Sequence, residues 1–255
     1  MSEVTMPQVT RAEIAVTACS DLFRGQGDIL ASPAGIIPTI GARLAALTHA
    51  PDLMLSDGES TIYAGVPSLE HQGVPGGFLP YRELFELIAA GKRHVVMGGA
   101  QIDREGNHNF SAIGEHTKPH RQLLGSRAAA ANTINHRTSY WIPKHSRRSM
   151  VQQVDFVTGV GRTRAEHAGK GAARFHQVHQ VVSNLGVFDF NGPGHTMSLV
   201  SIHPGVSVEE VIESTGFDLN IPDAVQSTRL PNRQELQLIR EVLDPLHRRE
   251  QEVRS

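Results

Sequence analysis

Apolar residues along the chain recur at two different spacings. In 14–23 and 36–48 they repeat at helical intervals, whereas the centre of 28–32 and the runs 53–55 and 95–97 are short and continuous. Short continuous apolar runs are typical of strands that are buried on both faces. Helices that alternate with such strands predict an α/β fold, with an open, mostly parallel sheet flanked by helices.

Helix-start signals mark both ends of the chain. Thr10 with Glu13 forms a capping box before the first helix, and Asn232 with Glu235 repeats the signal before the last one. No repeat, low-complexity tract or linker divides the chain between them. Residues 1–255 are therefore predicted to form a single domain.

The stretches between these ends are less uniform. Residues 81–90 predict a third helix, and 177–190 predict two strands separated by a turn. Four apolar side chains of the third helix are predicted to face inward: Leu84, Phe85, Leu87 and Ile88. The glycine-rich segments 73–80 and 159–175 predict exposed loops.

The apolar run 95–97 leads directly into two adjacent glycines, Gly98 and Gly99. Because glycine has no Cβ, a ligand can approach the backbone closely there. Ligands of open α/β sheets bind at the carboxyl ends of strands. Segment 95–114 therefore predicts one wall of a ligand site, although a plain hairpin with a glycine-rich corner explains these residues equally well.

Composition narrows the class of protein. A formal net charge of −2 argues against non-specific nucleic-acid binding, which needs a basic face. The single cysteine, Cys19, lies on an apolar helix face, which predicts a core residue and suits a reducing compartment. No apolar run reaches the roughly 18 residues of a membrane helix. We expect a cytoplasmic enzyme subunit that binds neither nucleic acid nor membrane.

Two carboxylates follow the second predicted strand, in the loop Ser56-Asp57-Gly58-Glu59. A carboxylate at a strand end serves as a nucleophile or general base when burial raises its pKa. Asp-Gly is also a common turn dipeptide, and the residues alone favour a solvated turn.

Histidine is abundant, with 14 residues, and five of them are candidate metal ligands: His167, His176, His179, His195 and His203. None of them forms a helical His-x-x-x-His pair, and cysteine is absent as a co-ligand, so no metal site is predicted. No Gly-x-Gly-x-x-Gly follows a strand, and no phosphate-loop lysine follows a glycine run. Hydride transfer and nucleotide hydrolysis are therefore not expected.

Several motifs resemble the β subunits of the type I CoA-transferases. The likeness begins in the segment 98–114 (GGAQIDREGNHNFSAIG) and continues through Gly125-Ser126, 155–158 (DFVT), 215–219 (TGFDL) and Asp244-Pro245. These motifs occur in the family's order over most of the chain. The resemblance implies an open α/β sheet that pairs with a related α subunit around a shared site for an acyl-CoA. It implies no permanently bound cofactor, with coenzyme A entering as part of the substrate.

One position departs from the pattern of this family. Transferases of this type carry a glutamate after the second strand, and this glutamate takes CoA as an enzyme thioester. Depending on the alignment, Ser56 or Asp57 replaces it here, and an aspartate is shorter by one methylene. Glu59 reaches the position only if the loop is displaced. Ser56, Asp57 and Glu59 are therefore candidates, and none is a certain catalytic residue.

A branch of the family with this departure implies a different reaction. The resemblance to it implies hydrolytic, retro-Claisen C–C cleavage of a cyclic β-keto acyl-CoA made in steroid breakdown, with the general-base glutamate on the α subunit. This chain then completes the substrate pocket, with candidate binding residues at Gly98, Gly99, Ala100, Gln101, Arg127 and Asn132. Two alternatives remain: a true CoA-transferase β subunit, and a non-catalytic structural subunit.

Overall fold

Residues 8–57 and 60–253 are described by a computed structural model of the chain. The α-helices are α1 (Arg11–Asp21), α2 (Ile36–Thr48), α3 (Tyr81–Ala89), α4 (Ala129–Asn135), α5 (Arg162–His167), α6 (Lys170–Ala173), α7 (Val208–Ser214) and α8 (Arg233–Gln237). A π-helical segment, Leu238–Leu243, continues α8, and 3-10 turns occupy Pro193–His195 and Arg248–Gln251.

The strands are β1 (Leu30–Pro33), β2 (Met54–Leu55), β3 (Thr61–Tyr63), β4 (Pro75–Phe78), β5 (Arg93–Met97), β6 (Gln101–Ile102), β7 (His108–Asn109), β8 (Ala112–Ile113), β9 (Arg121–Gln122), β10 (Arg137–Ile142), β11 (Gln177–Ser183), β12 (Gly186–Asp189), β13 (Ser198–Ile202) and β14 (Gln226–Ser227). Eight of them form the central sheet, in the order β14-β13-β12-β11-β10-β5-β1-β2. Only β12 runs against its neighbours in that sheet. The predicted open, mostly parallel sheet is thus confirmed.

Alternate residues of the central strands enter two separate cores. Val96 and Trp141 face α1, α2 and the C-terminal π-helical segment. Val95, Met97 and Tyr140 face the opposite core, which includes Phe188 and Leu199. The two-residue period of a strand produces this division. Strands β5 and β10 are buried on both faces. The residues that follow the ends of these strands are therefore held in fixed positions.

The C-terminal segment fastens the first helix to the body of the molecule. Arg249 is only 1% exposed and pairs with Glu13 at 3.0 Å and with Asp244 at 2.9 Å. Arg240 pairs with Glu13 at 2.6 Å. Burial alone would raise the pKa of Glu13, but hydrogen bonds from Arg240 and the Thr10 N–H, together with the charges of Arg240 and Arg249, outweigh it and lower that pKa. Glu13 is therefore a buried anion with partners, as burial of a charge requires.

Local sequence signals were accurate where they were strong. Helix α2 has the bounds predicted from its apolar spacing. Both capping boxes form, at Thr10 with Glu13 and at Asn232 with Glu235. Cys19 is fully buried, as predicted. The single-domain prediction for 1–255 also covers residues outside the described ranges and stays a prediction.

Two predicted loops contain secondary structure, and one side chain predicted to face inward is exposed. The predicted loop 73–80 contains β4, which pairs with β3, and the predicted loop 159–175 contains α5 and α6. Phe85 was predicted to face inward, but it is 44% exposed and packs edge-on against Tyr81, with ring centroids 5.3 Å apart. Only the narrow stripe of Leu84 and Ile88 is buried, because α3 covers a small core around Leu30.

Candidate active site

A groove lies at the carboxyl ends of β5 and β10. Its volume is about 650 Å³, within the usual range for small-molecule sites. One wall is Gly99 and Ala100, which follow β5 and, with the adjacent Gly98, will be called the glycine wall. The other wall is formed by residues 142–144 and 146–149, at the end of β10 and beyond it. Strands β5 and β10 are parallel neighbours, so their ends meet at one edge of the sheet. The groove is therefore where a ligand of this fold is expected.

The chain itself does not require glycine at Gly98 or Gly99. A Cβ on Gly98 would meet nothing nearer than the Trp141 carbonyl oxygen at 3.9 Å, and one on Gly99 would meet the Gln101 carbonyl oxygen at 3.6 Å. Neither glycine has a φ in the left-handed region. With neither crowding nor backbone conformation to account for them, the open space beside these glycines is free for a molecule outside the chain.

The hairpin of β6 and β7 supports this wall from behind. The Ala100 N–H donates to the Asn109 carbonyl at 3.1 Å, so the expectation that it binds substrate is wrong for that amide. The Gln101 Oε1 accepts from the Asn109 Nδ2 at 2.8 Å and from the Asp155 N–H at 3.0 Å. The oxygen of Gln101 therefore holds the hairpin in place. Gln101 is buried and does not line the groove, so only its Nε2 stays a candidate donor to a ligand.

Asn132 and Arg127 do not line the groove. The Asn132 Oδ1 accepts from the Arg93 guanidinium at 2.9 Å and lies 3.1 Å from the His136 Nε2, while its Nδ2 donates to the Met97 Sδ. Asn132 is thus a buried hub that holds β5 against α4. Arg127 is exposed, with a φ of 45°. Substrate binding by either residue remains a prediction.

Ser56 and Asp57 lie away from the groove. Leu55 pairs with Ala31, which pairs with His94, so β2 ends three residues short of Met97. At about 4.8 Å between strands and about 3.3 Å per residue, Ser56 lies about 10 Å to the side of β5 and about 10 Å below Gly98. The sheet alone therefore does not bring Ser56 to the glycine wall.

The Asp57 carboxylate closes a turn. Its Oδ1 accepts from the backbone N–H groups of Ser60 at 2.9 Å and Thr61 at 3.0 Å, and its own N–H donates to the Thr61 carbonyl. Aspartate side chains commonly close turns by accepting from nearby backbone N–H groups in this way. The solvated turn that the residues alone favoured is confirmed for Asp57, which is exposed. The candidate Glu59 lies outside the described residues.

The segment 143–149, PKHSRRS, will be called the basic loop. It carries three exposed cations, Lys144, Arg147 and Arg148, and all three line the groove. None of the three was among the predicted binding residues. The rule that pointed to Gly98, that ligands meet strand ends, applies equally to the end of β10 and would have found this loop.

Buried residues hold the basic loop rigid. The His145 ring lies 3.0 Å from both the Ser183 and the Thr215 hydroxyls, and its backbone N–H donates to Asn184. Burial lowers the pKa of His145 to about 4, so the ring is neutral near pH 7 and serves as a structural anchor. The Ser149 hydroxyl donates to the Lys144 carbonyl at 2.8 Å, which closes the loop on itself.

Helix α2 begins beside the same edge of the sheet, but its N-terminus is occupied. The Glu252 carboxylate accepts from the backbone N–H groups of Ile36 at 2.8 Å and Ile37 at 3.0 Å, and from the Trp141 indole at 3.0 Å. A helix N-terminus at a strand end commonly binds a phosphate. In this chain the side chain of Glu252 fills that position.

A second depression, of about 340 Å³, lies at the opposite edge of the sheet, where β11 begins. His176, His179 and His195 line it, but none of the predicted binding residues does. Across residues 8–57 and 60–253, no group of three or more His, Cys, Asp or Glu side chains is arranged to hold a metal ion. Within the same ranges, no helix combines the length and apolarity needed to cross a membrane.

Four large apolar side chains on the β3–β4 hairpin and helix α3 are exposed, and together they will be called the apolar patch. It consists of Val74, Phe78, Tyr81 and Phe85, which are 71%, 73%, 62% and 44% exposed. Phe78 pairs across the β3–β4 hairpin with Thr61, the residue whose N–H binds Asp57. Large exposed apolar side chains in one surface region are typical of a protein–protein contact.

Comparison with known proteins places the chain in a family. The coenzyme A transferase family model matches residues 81–214, which include the glycine wall and the basic loop. The cholesterol ring-cleaving hydrolase IpdB subunit of Rhodococcus jostii RHA1 is 50% identical over 254 residues, 99% of each chain. This protein is therefore a member of the coenzyme A transferase family, as the resemblance predicted.

Two further comparisons show which members of the family the chain resembles more. The crystal structure of Rhodococcus jostii RHA1 IpdAB superposes with a TM-score of 0.94 at 49% identity, covering 97% of this chain and all of that one. One of the subunits of glutaconate CoA-transferase from Acidaminococcus fermentans is 28% identical over 251 residues, 91% of each chain. In sequence, the chain is much more similar to the ring-cleaving hydrolase than to that transferase.

Proposed function

We propose that this chain is the β subunit of a heteromeric hydrolase that opens the last steroid ring, by cleaving a C–C bond in a cyclic β-keto acyl-CoA. The 50% identity to a cholesterol ring-cleaving hydrolase subunit over 99% of both chains supports this reaction. The observation that carries it is the Asp57 turn: in one of the two alignments Asp57 takes the place of the family's nucleophile, and its carboxylate accepts hydrogen bonds that close an exposed turn. No covalent CoA carrier is needed for the reaction.

The reaction requires a general base and hydrogen-bond donors that stabilise a developing negative charge. A base removes a proton from water, and the resulting oxygen nucleophile adds to the ring ketone. The bond between that carbon and the thioester α-carbon then breaks, so the ketone carbon becomes a carboxylate. The electron pair forms the thioester enolate, which takes up a proton at the α-carbon. One water is consumed, and CoA stays attached.

In this proposal the glycine wall stabilises the enolate oxygen. Backbone N–H groups beside a glycine approach a developing oxyanion without steric hindrance. Since the Ala100 N–H is already bound to Asn109, the role passes to the amides of Gly98 and Gly99 and to the Nε2 of Gln101. These groups follow the buried strand β5 directly or lie in the hairpin after it, which gives them fixed positions.

The general base belongs to the α subunit in this proposal. We place that subunit on the apolar patch, because the patch adjoins the Asp57 turn and because similar chains are named as one subunit of a complex. A partner seated there extends over the carboxyl edge of the sheet and brings its glutamate toward the groove. An α2β2 assembly, a cytoplasmic location and the absence of a permanently bound cofactor stay predictions.

The reaction is tested on the purified complex of both subunits. Incubation with a cyclic β-keto acyl-CoA is expected to give a product that is heavier by one water and still carries CoA, as read by mass spectrometry. Release of free CoA, or its transfer to an added carboxylate, would overturn the proposal. Borohydride or hydroxylamine trapping is expected to leave this chain without a thioester adduct, in contrast to a true transferase.

A substitution in the groove tests whether this chain is only structural. Gly99→Val fills the groove, while its Cβ meets no atom of the chain nearer than 3.6 Å. We expect the complex to assemble normally and turnover to fall by about 100-fold, since a misplaced substrate loses that much. Gly171→Val, at an open position in α6, is the matched control. Full activity of Gly99→Val would favour the non-catalytic subunit.

A further inference from the structure

The three cations of the basic loop have no counter-charge in the described part of the chain. Across residues 8–57 and 60–253, no carboxylate forms an ion pair with Lys144, Arg147 or Arg148. Some exposed arginines have partners, such as Arg162 with Glu166, and others, such as Arg164, have none in the described ranges, so what sets this loop apart is the closeness of its cations in sequence. Three unpaired cations within five residues form a concentrated positive site.

The backbone that carries these cations is fixed in place. The Met150 N–H donates to the Ser146 carbonyl at 2.8 Å, and the Ile102 N–H donates to the Ser149 carbonyl at 2.8 Å. The second bond ties the basic loop directly to the hairpin behind the glycine wall. A rigid loop loses little entropy when it binds an anion, which distinguishes it from a solvated run of charges.

The cations and the glycine wall face one continuous groove. Gly99 and Ala100 lie at one side of it, and Lys144, Arg147 and Arg148 at the other. Ile142 and Pro143 add apolar surface to the lining. An acyl-CoA has a matching set of parts: a thioester carbonyl, a long and largely apolar pantetheine arm, and then phosphates. Arginine recognises phosphate through paired N–H groups.

The N-terminus of α2, where a phosphate commonly binds in such a sheet, is occupied by Glu252 in this chain. The N–H groups at the start of α2 already donate to Glu252, and a phosphate there would have to displace a carboxylate that also binds Trp141. An anionic ligand that enters the carboxyl edge of the sheet is therefore directed away from α2 and toward the end of β10.

We propose that the basic loop binds the phosphate groups of the CoA portion of the substrate, with Arg147 and Arg148 as the main contacts and Lys144 as a supporting charge. The proposal rests on the proposed function, because it takes an acyl-CoA as the ligand of the groove. It assigns recognition of the CoA moiety to this chain and leaves the base to the α subunit.

The test compares substrates with and without phosphates. The purified complex carrying Arg147→Gln and Arg148→Gln is assayed with the acyl-CoA, its 3′-dephospho form and the corresponding acyl-pantetheine. Loss of charge-assisted hydrogen bonds to phosphate is expected to raise KM for the acyl-CoA by about tenfold or more. The kcat for the acyl-CoA and the KM for the acyl-pantetheine should stay within about twofold. Arg164→Gln with Lys170→Gln removes the same charge from α5 and α6 and is expected to change neither.

Each outcome has a defined meaning. An equal rise of KM for acyl-CoA and acyl-pantetheine, or dissociation of the subunits on a sizing column, would overturn the phosphate assignment. The 3′-dephospho substrate separates binding of the 3′-phosphate from binding of the pyrophosphate, and either one supports the proposal. If the wild-type complex opens no ring, the proposed function fails, but calorimetric titration with free coenzyme A still tests the loop, with at least tenfold weaker binding expected in the variant.

Discussion

Around β5 and β10, the groups at the carboxyl edge of the sheet form hydrogen bonds with one another. Around β2, the same edge ends in an exposed turn beside apolar side chains. In the first region the basic loop, the β6–β7 hairpin and the ring of His145 are joined by hydrogen bonds between buried residues. In the second, Phe78 and Tyr81 are 73% and 62% exposed. The first region is preorganised within this chain, and the second has the character of a surface that another subunit covers.

The largest effect is expected at the tip of the β6–β7 hairpin, the element that leads out of the preorganised region, because backbone packs directly against backbone there. A Cβ on Gly161 would collide with the Glu105 carbonyl oxygen, and backbone cannot move aside cheaply. Gly161→Ala should therefore destabilise the chain by about 3 kcal/mol or more. Urea unfolding of the purified complex measures it. Gly171→Ala, with open space around it, is the control and should be neutral or slightly stabilising. Equal stability of the two variants would contradict the comparison.

The second prediction concerns the apolar patch, and the substitution should leave the preorganised region intact. Phe78→Ser removes an exposed apolar contact, so the fold should lose less than about 0.5 kcal/mol. Its affinity for the α subunit should fall by about tenfold or more if the apolar patch is central to that interface. Analytical ultracentrifugation of the mixed subunits gives the affinity. Leu124→Ser, at a residue that is 81% exposed outside the patch, is the matched control. Unchanged affinity for Phe78→Ser would remove the α subunit from the patch.

Acid should loosen the preorganised region. Burial lowers the pKa of His145 to about 4 and that of His108 to about 3 in the folded chain, against about 6.5 when unfolded. The unfolded chain therefore binds more protons in this window, and stability is lost as pH falls from about 6.5 toward 4. Each such histidine adds a slope of up to about 1.4 kcal/mol per pH unit.

The free energy of unfolding, measured in urea between pH 7 and pH 5, gives this slope directly. His145→Gln removes one titrating group, so its slope should be shallower than that of the wild type, whatever its absolute stability. An unchanged slope would mean that the ring of His145 is not neutral in the folded chain.

The smallest effect is expected at the Asp57 turn. Asp57→Asn keeps an oxygen that accepts from the N–H groups of Ser60 and Thr61, so both the turn and the turnover should stay within about twofold. Asp57→Ala loses that acceptor and should cost about 1 kcal/mol of stability. Steady-state rates and urea unfolding separate the two. A drop of about 100-fold in kcat for Asp57→Asn would show that the carboxylate acts in the chemistry.

Local pattern located one wall of the candidate site, but neither the basic loop opposite nor the internal hydrogen bonding. The paired glycines after β5 marked the wall of the groove, because ligand sites lie at strand ends whatever the rest of the chain does. The roles of Asn132 and Gln101 could not be predicted from the sequence. Asn132 binds Arg93, which is 39 residues away, and Gln101 binds Asp155, which is 54 residues away. A side chain that binds substrate and one that braces the wall behind it look alike in a sequence.

By itself, the sequence determined the family and the elements whose causes are local: the bounds of α2, the capping boxes at Thr10 and Asn232, and the strand that ends at Met97, just before Gly98. Their signals lie within a few residues, where backbone geometry and capping chemistry act. Only the tertiary structure decided that Phe85 faces outward, that Glu252 fills the start of α2, and that the basic loop joins the glycine wall in one groove. These outcomes depend on which distant segments meet across the sheet, and no short stretch of sequence encodes that.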